Sequence, residues 1–312
     1  MSDNETSPPA LGQQKTFENQ AATVAEPSSL SDSDILAKPG DTAQETHIDV
    51  PLPTSLQKYL LLSAIRLIGR FRCRQGNVLM LTKELCVKYG SLVYLAEAQS
   101  MIFVARNTSV PVPAVHFAFT HNKCTYILME RICGQSVGIN WIDRPRASRI
   151  RILGSLQGMV LEMRNLQPYI NGNAICSVTG GSLRDPRLPT IIKRFGPFSS
   201  IQGFHNYLRN GKQETGDKGV TRLISLHSQH WDPPTFTHGD LSSFNILVRG
   251  DEIVSIIDWE TAGWYPSYWE YTTANQLDPQ NAFRKDDIDK FLKPLPDALE
   301  MEFLRQRYFG DY

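Results

Sequence analysis

The stretch Thr237-His-Gly-Asp-Leu-Ser-Ser-Phe-Asn-Ile-Leu-Val248, followed by Ile256-Ile-Asp-Trp-Glu260, constrains this chain more than any other feature. Asn245-Ile-Leu-Val248 and Ile253-Val-Ser-Ile-Ile257 flank Gly250-Asp251. Two apolar runs around such a dipeptide predict a β-hairpin. Asp240 and Asn245 bracket a short loop before the hairpin, and Asp258 ends its second strand. The hairpin returns Asp258 towards the loop, so three oxygen-bearing side chains can converge. An amide oxygen and a carboxylate suit Mg²⁺, a hard cation that takes few protein ligands and keeps water and phosphate. A carboxylate not used for metal can orient a hydroxyl nucleophile and accept its proton. These are the parts of a phosphoryl-transfer site. A turn whose Asp and Asn cap local backbone would explain any one of them alone. The joint pattern is harder to reach by chance. At about one in twenty per position, the four fixed residues His238, Gly239, Asp240 and Asn245 recur on the order of twice per thousand chains of this length.

The remaining composition sets limits. Lys+Arg and Asp+Glu are both 32, so the formal charge is zero. That balance argues against a nucleic-acid or anionic-membrane binder. With 41% hydrophobic and 21% charged residues the chain is globular. No apolar run reaches the ~18 residues of a membrane span. The opening MSDNETSPPALGQQ lacks the basic and apolar regions of a signal peptide. Cys73, Cys86, Cys124, Cys133 and Cys176 are scattered and form no C-x-x-C pair. The expected compartment is therefore reducing and cytoplasmic.

Residues 1–48 are rich in Ser, Asp, Glu, Gln, Pro, Thr and Ala, with isolated apolar residues. They predict a disordered tail. Order is expected from Thr54, which can cap a helix carrying Leu56, Leu60, Ile65 and Ile68. Val78–Leu81 and Leu85–Tyr89 read as strands. Leu92–Arg106 reads as a helix with Leu95, Ala98, Ile102 and Ala105 on one face. Val115–Phe119 and Thr125–Met129 read as a hairpin pair. Beyond residue 130 the pattern turns helical, with a stripe of Ile150, Leu153, Leu156, Val160 and Met163. A further helix pair is expected within Phe204–His230.

His238-Gly-Asp-Leu-Ser-Ser-Phe-Asn245 resembles the H-G-D-x-x-x-x-N loop of the aminoglycoside phosphotransferase family, to which the H-R-D loop of protein kinases is related. Ile257-Asp-Trp-Glu260 resembles that family's I-D-W-E, and Ala262-Gly-Trp-Tyr-Pro-Ser-Tyr-Trp-Glu270 resembles its fungal branch. The resemblance implies an α+β, two-lobed, protein-kinase-like fold. A small antiparallel-sheet lobe with one helix would span 54–130. A larger, mainly helical lobe would span 131–312. It also implies roles. Asp240 is the catalytic base or hydroxyl-orienting residue, and Asn245 and Asp258 hold Mg²⁺ against the ATP phosphates. His238 steadies the loop. Val87-Lys88-Tyr89-Gly90 resembles the strand whose lysine contacts ATP phosphates, and Glu97 the helix glutamate that pairs with it. Leu128-Met-Glu-Arg-Ile-Cys-Gly134 resembles the hinge, where backbone groups of Glu130 and Ile132 meet the adenine.

Two departures stand out. No G-x-G-x-x-G precedes Lys88; only Gly76 is available. Ser242 occupies the place of the protein-kinase loop lysine, which points away from a protein kinase. Three weaker features favour bland readings. His227 and His230 are spaced for a metal but lack a third ligand. The aromatics between Trp259 and Tyr271 suit a core, and Asp286, Asp287 and Asp289 a solvated helix start. The expected activity is ATP-dependent phosphorylation of a hydroxyl on a small molecule, with ATP and Mg²⁺ as cofactors. A catalytically inactive pseudokinase or binding module is the alternative. Neither the acceptor nor the oligomeric state is legible.

Overall fold

A computed structural model describes residues 48–168, 172–188, 194–213, 216–276 and 281–310. Apart from Ile48, the expected tail lies outside the described residues. Ile48 is buried, and the Pro51 carbonyl accepts the Ala118 N–H at 3.0 Å. The packed chain therefore starts ahead of Thr54. Thr54 caps helix α1 (Ser55–Ile68) through a reciprocal pair of hydrogen bonds with Gln57. Leu61 is the buried residue of α1, supported by Leu62, Ile65 and Ile68, whereas Leu56 and Leu60 face solvent. The apolar stripe read from the sequence is thus half correct, because α1 meets the sheet through its C-terminal turns.

The small lobe is a five-stranded antiparallel sheet. Its strands are β1 (Arg74–Gln75), β2 (Val78–Met80), β3 (Leu85–Gly90), β4 (Val115–His121) and β5 (Cys124–Glu130), in spatial order β1-β2-β3-β5-β4. Helix α2 (Leu95–Asn107) joins β3 to β4. One helix therefore lies within the run of strands, and α1 leads into it. Asn122 and Lys123 turn β4 into β5 with φ of 48° and 61°, the left-handed pair that suits the twist of a hairpin.

Strand alternation positions the site. Successive side chains point to opposite faces. Val87, Phe117 and Leu128 face α1, whereas Cys86, Ile127 and Met129 join the core that contains α2. Lys88 has the parity of Cys86, so its side chain enters on the α2 face.

In the large lobe, β6 (Gln135–Ser136), β8 (Ile246–Arg249) and β9 (Glu252–Ile256) form a sheet in that order, and β7 (Thr235–Thr237) pairs with β10 (Gly263–Tyr265). The β8–β9 turn is Gly250-Asp251, as the sequence predicts. Around these strands lie α3 (Arg146–Arg164), α4 (Ile201–Leu208), α5 (Lys218–His227), α6 (Trp269–Ala274), α7 (Lys285–Phe291) and α8 (Pro296–Phe309). The whole is a two-lobed α+β fold. Leu153, Leu156, Val160 and Met163 of α3 are buried, but Ile150 is exposed and Ile152 takes its place. Trp259, Trp264, Tyr265, Tyr268, Trp269 and Tyr271 are all core residues. Asp287 accepts from the Trp141 indole and Asp289 from the Tyr271 hydroxyl, so these two acids are more than a solvated helix start. Among the described residues, no helix is long and apolar enough to cross a membrane.

His227 does not join His230. Its ring stacks on His205 with centroids 4.2 Å apart, while His230 is exposed. His205 Nδ1 donates to the His227 carbonyl at 3.0 Å, and its Nε2 accepts from the Tyr268 hydroxyl at 2.7 Å. Burial pushes His205 down to about 4 and His227 to about 2. In the unfolded chain both titrate near 6.5. Their contribution to stability is full above pH 6.5 and is lost as pH falls through 4. The unfolding midpoint is expected to drop over that window. A His205→Gln variant should show a shallower drop, and an identical slope in variant and wild type would contradict this.

Candidate active site

The H-G-D loop connects β7 to β8, and its shape follows from a few bonds. Gly239 has φ +83°, and a Cβ there would lie 3.0 Å from Thr261 Oγ1. A glycine is thus required on both conformational and steric grounds. The buried carboxylate of Glu270 accepts the His238 N–H at 2.7 Å and the Gly239 N–H at 3.0 Å. Burial pushes this carboxyl up to about 7, against the pull of those two donors. His238 is fully buried. Its Nε2 donates to the Ile257 carbonyl at 3.0 Å, and its Nδ1 accepts the Asp240 N–H at 3.2 Å. Burial lowers it to about 4. The neutral imidazole ties the loop to the strand that delivers Asp258.

Asn245 Nδ2 donates to both the carbonyl and Oδ2 of Asp240, at 2.9 and 2.7 Å. Among the described residues, no hydrogen bond reaches the Asn245 amide oxygen. The Asn245 carbonyl accepts the Ile257 N–H at 2.9 Å, which places Asp258 beside the loop. Asp258 has φ +64°, a left-handed conformation that Asp tolerates better than most side chains. Burial and the charge of Asp258 push the Asp240 carboxyl up to about 7, with the Asn245 bond opposing. Carboxyls poised near neutrality suit general-base work.

Lys88 joins the two lobes. Its ammonium lies 2.9 Å from Glu97, 2.7 Å from Asp258 and 3.3 Å from Glu260. Burial alone would lower its pKa, but the three carboxylates outweigh burial and hold it above the ordinary lysine range. Acidic oxygens of Glu97, Asp258 and Glu260 come within 4.8 Å of one another. This is not a ready-made metal cage, because Lys88 already supplies the cation between them. Glu260 also pairs with Arg184 at 2.8 Å.

These groups border an interlobe cleft of about 680 Å³. Lys88, Glu97, Glu130, Ile132 and Asp258 all line it, along with Met101, Met129 and Phe244. The Glu130 N–H is taken by the Ala114 carbonyl at 2.9 Å. Its own carbonyl accepts from the weak Cys86 thiol at 3.5 Å and borders the cleft, where it could accept from a ligand. Among the described residues, the Ile132 backbone makes no hydrogen bond. The β1–β2 turn above the cleft is Gly76-Asn77, with Gly76 at φ +53°. It is a tight hairpin rather than a glycine-rich cradle. Sequence reading missed Arg184, Glu260 and Glu270 as parts of this site. Glu260 adjoins Asp258 and could have been flagged, whereas no spacing marks Arg184 or Glu270.

Residues 90–308 match the model of the phosphotransferase enzyme family, beginning just after Lys88. The chain belongs to that family and is a small-molecule kinase. No curated protein sequence matches it. Solved structures are similar in fold. Aminoglycoside phosphotransferase APH(4)-Ia aligns with a TM-score of 0.56 at 14% identity, covering 79% of this chain and 90% of that one. A thermostable mutant of it in the apo form gives 0.55 at 15%, covering 80% and 90%. A ternary complex of such a mutant with ADP and hygromycin B gives 0.54 at 15%, covering 81% and 88%. At these identities the likeness shows a protein-kinase-like fold.

Proposed function

We propose that the protein transfers the γ-phosphoryl group of ATP to a hydroxyl of a small molecule. The observation that carries this reading is that Asn245 holds Asp240 through its side chain and Ile257 through its carbonyl, which sets Asp240 and Asn245 beside Asp258 on the lining of the Lys88 cleft. Membership of the phosphotransferase enzyme family supports it. The triphosphate would lie along Lys88, which Glu97 orients. The Glu130 carbonyl and the Ile132 backbone groups would meet the adenine. Asp240 would orient the acceptor hydroxyl and take its proton as the new P–O bond forms. Most of the rate would come from positioning and charge stabilisation.

The residues present fit Mg²⁺. Among the described residues the Asn245 amide oxygen has no hydrogen-bond partner, Asp258 offers a carboxylate, and both are hard oxygen donors. When bound, the ion supplies charge neutralisation at the phosphates. To fill that role Asp258 would exchange part of its contact with Lys88 for the ion. A division between the two lobes at residues 130 and 131 belongs to the same proposal.

Labelled ATP tests the reading. Incubation with a metabolite extract and with a protein mixture is expected to place γ-phosphoryl label in the small-molecule fraction. Label confined to protein would contradict it.

A further inference from the structure

A second hollow, of about 420 Å³, is lined by Gly239 and Asp240 of the loop and by Ser242, Thr273, Gln276 and Asn281. Its volume is in the ordinary range for a small ligand. Asp185 and Arg187 form another part of its lining and decide what charge it offers. The Asp185 carboxylate accepts from Arg187 N and Nε at 2.9 Å each, from Arg187 Nη2 at 2.5 Å and from the Trp269 indole at 3.1 Å. A carboxylate has about four lone-pair sites, so none remains for a ligand ammonium. The Arg187 guanidinium lies over Trp269 at 4.6 Å and reaches Glu302 at 3.8 Å. Arg187 Nη1 makes no hydrogen bond among the described residues, but it is buried and turned to Glu302, so this pair presents neither of its charges to the hollow. Among the described residues, the other polar side chains lining the hollow are neutral, apart from Asp240 itself.

Asn281 supplies the directional element. It is 7% exposed, and its Oδ1 accepts the N–H groups of Ser243 and Phe283 at 3.1 Å each. Those bonds fix the amide orientation. Nδ2 is left with two N–H donors and no partner among the described residues, on the side chain that lines the hollow. An ammonium there would meet a donor face, and among the described lining residues the one carboxylate not closed by an arginine is Asp240 itself. An anion would face Asp240, and the one cation among the described lining residues, Arg187, is turned to Asp185 and Glu302.

We propose that this hollow takes the acceptor as an uncharged, hydroxyl-rich molecule, and that Asn281 Nδ2 is the specificity-determining donor to one of its oxygens. The inference rests on the phosphotransferase reading above. It is tested on the full chain with Mg-ATP and matched acceptors: neutral sugars and cyclic polyols, their amino counterparts, a sugar phosphate and an aminoglycoside. ADP release with the neutral members is expected to exceed that with the charged ones by at least about tenfold in kcat/KM. Asn281→Asp keeps an acceptor oxygen for Ser243 and Phe283 but replaces the donor with a carboxylate oxygen. It should lower that preference by about tenfold or more while leaving the Mg-ATP-induced rise in melting temperature unchanged. Three results would overturn the inference: highest kcat/KM with amine-bearing acceptors, no transfer to any neutral member, or an unchanged preference in Asn281→Asp. Failure of Mg-ATP to stabilise the wild type would instead overturn the parent reading, and this one with it.

Discussion

Asp240→Asn is expected to lower turnover by about 10²–10⁴-fold, the usual contribution of a positioned general base. The substitution preserves shape. The amide it introduces still offers an oxygen to Asn245 Nδ2, which now donates to Asp240 Oδ2 at 2.7 Å. The loop itself is held by Glu270, His238 and Thr261, none of which depends on the Asp240 charge. The loss should therefore appear in kcat, with nucleotide affinity largely retained. Steady-state ADP release and nucleotide titration of the same variant separate the two. A variant that keeps wild-type turnover would remove Asp240 from the chemistry.

The second large effect concerns Lys88. Lys88→Met takes the cation away from three carboxylates, of which Glu97 is 2% exposed. Removing one partner of a buried pair leaves an uncompensated charge and costs about 3–5 kcal/mol. At about 2–4 °C per kcal/mol for a domain of this size, the melting midpoint should fall by roughly ten degrees. Nucleotide stabilisation should also be lost, since the phosphates lose their cation. The double variant Lys88→Met, Glu97→Leu removes the stranded charge and should recover much of the stability without recovering nucleotide binding. Equal melting of Lys88→Met and wild type would show that the ion-pair cluster does not brace the lobes.

Much of this site was legible because its determinants are local. The β8–β9 hairpin follows from two apolar runs around Gly250-Asp251, and it alone returns Asp258 to the loop of Asp240 and Asn245. Lys88 and Glu97 were legible as a strand residue and a helix residue. That they touch follows from strand parity, because Lys88 shares the α2 face with Cys86. The parts that escaped are made by distant segments. Glu270 holds the backbone of His238 and Gly239 from a helix thirty-odd residues on. Asp185 and Asn281 reach the second hollow from segments far apart in the large lobe's sequence. The α1 stripe was misread for a related reason. Helical periodicity finds an apolar face, but only the neighbouring sheet decides which of Leu56, Leu60 and Leu61 is covered.

The central claim is that Asp258 makes the cleft a Mg-nucleotide site. An asparagine side chain at this position tolerates the same left-handed backbone, so Asp258→Asn changes the ligand with little change to the fold. The direct measurement is a thermal melt of wild type and Asp258→Asn, with ATP alone and with Mg-ATP. Ligand at a hundred times its Kd adds about 2.7 kcal/mol, which corresponds to a rise of several degrees. The account predicts a magnesium-dependent rise in wild type that is lost in Asp258→Asn. Equal rises in the two proteins, or none in wild type at millimolar nucleotide, would contradict it.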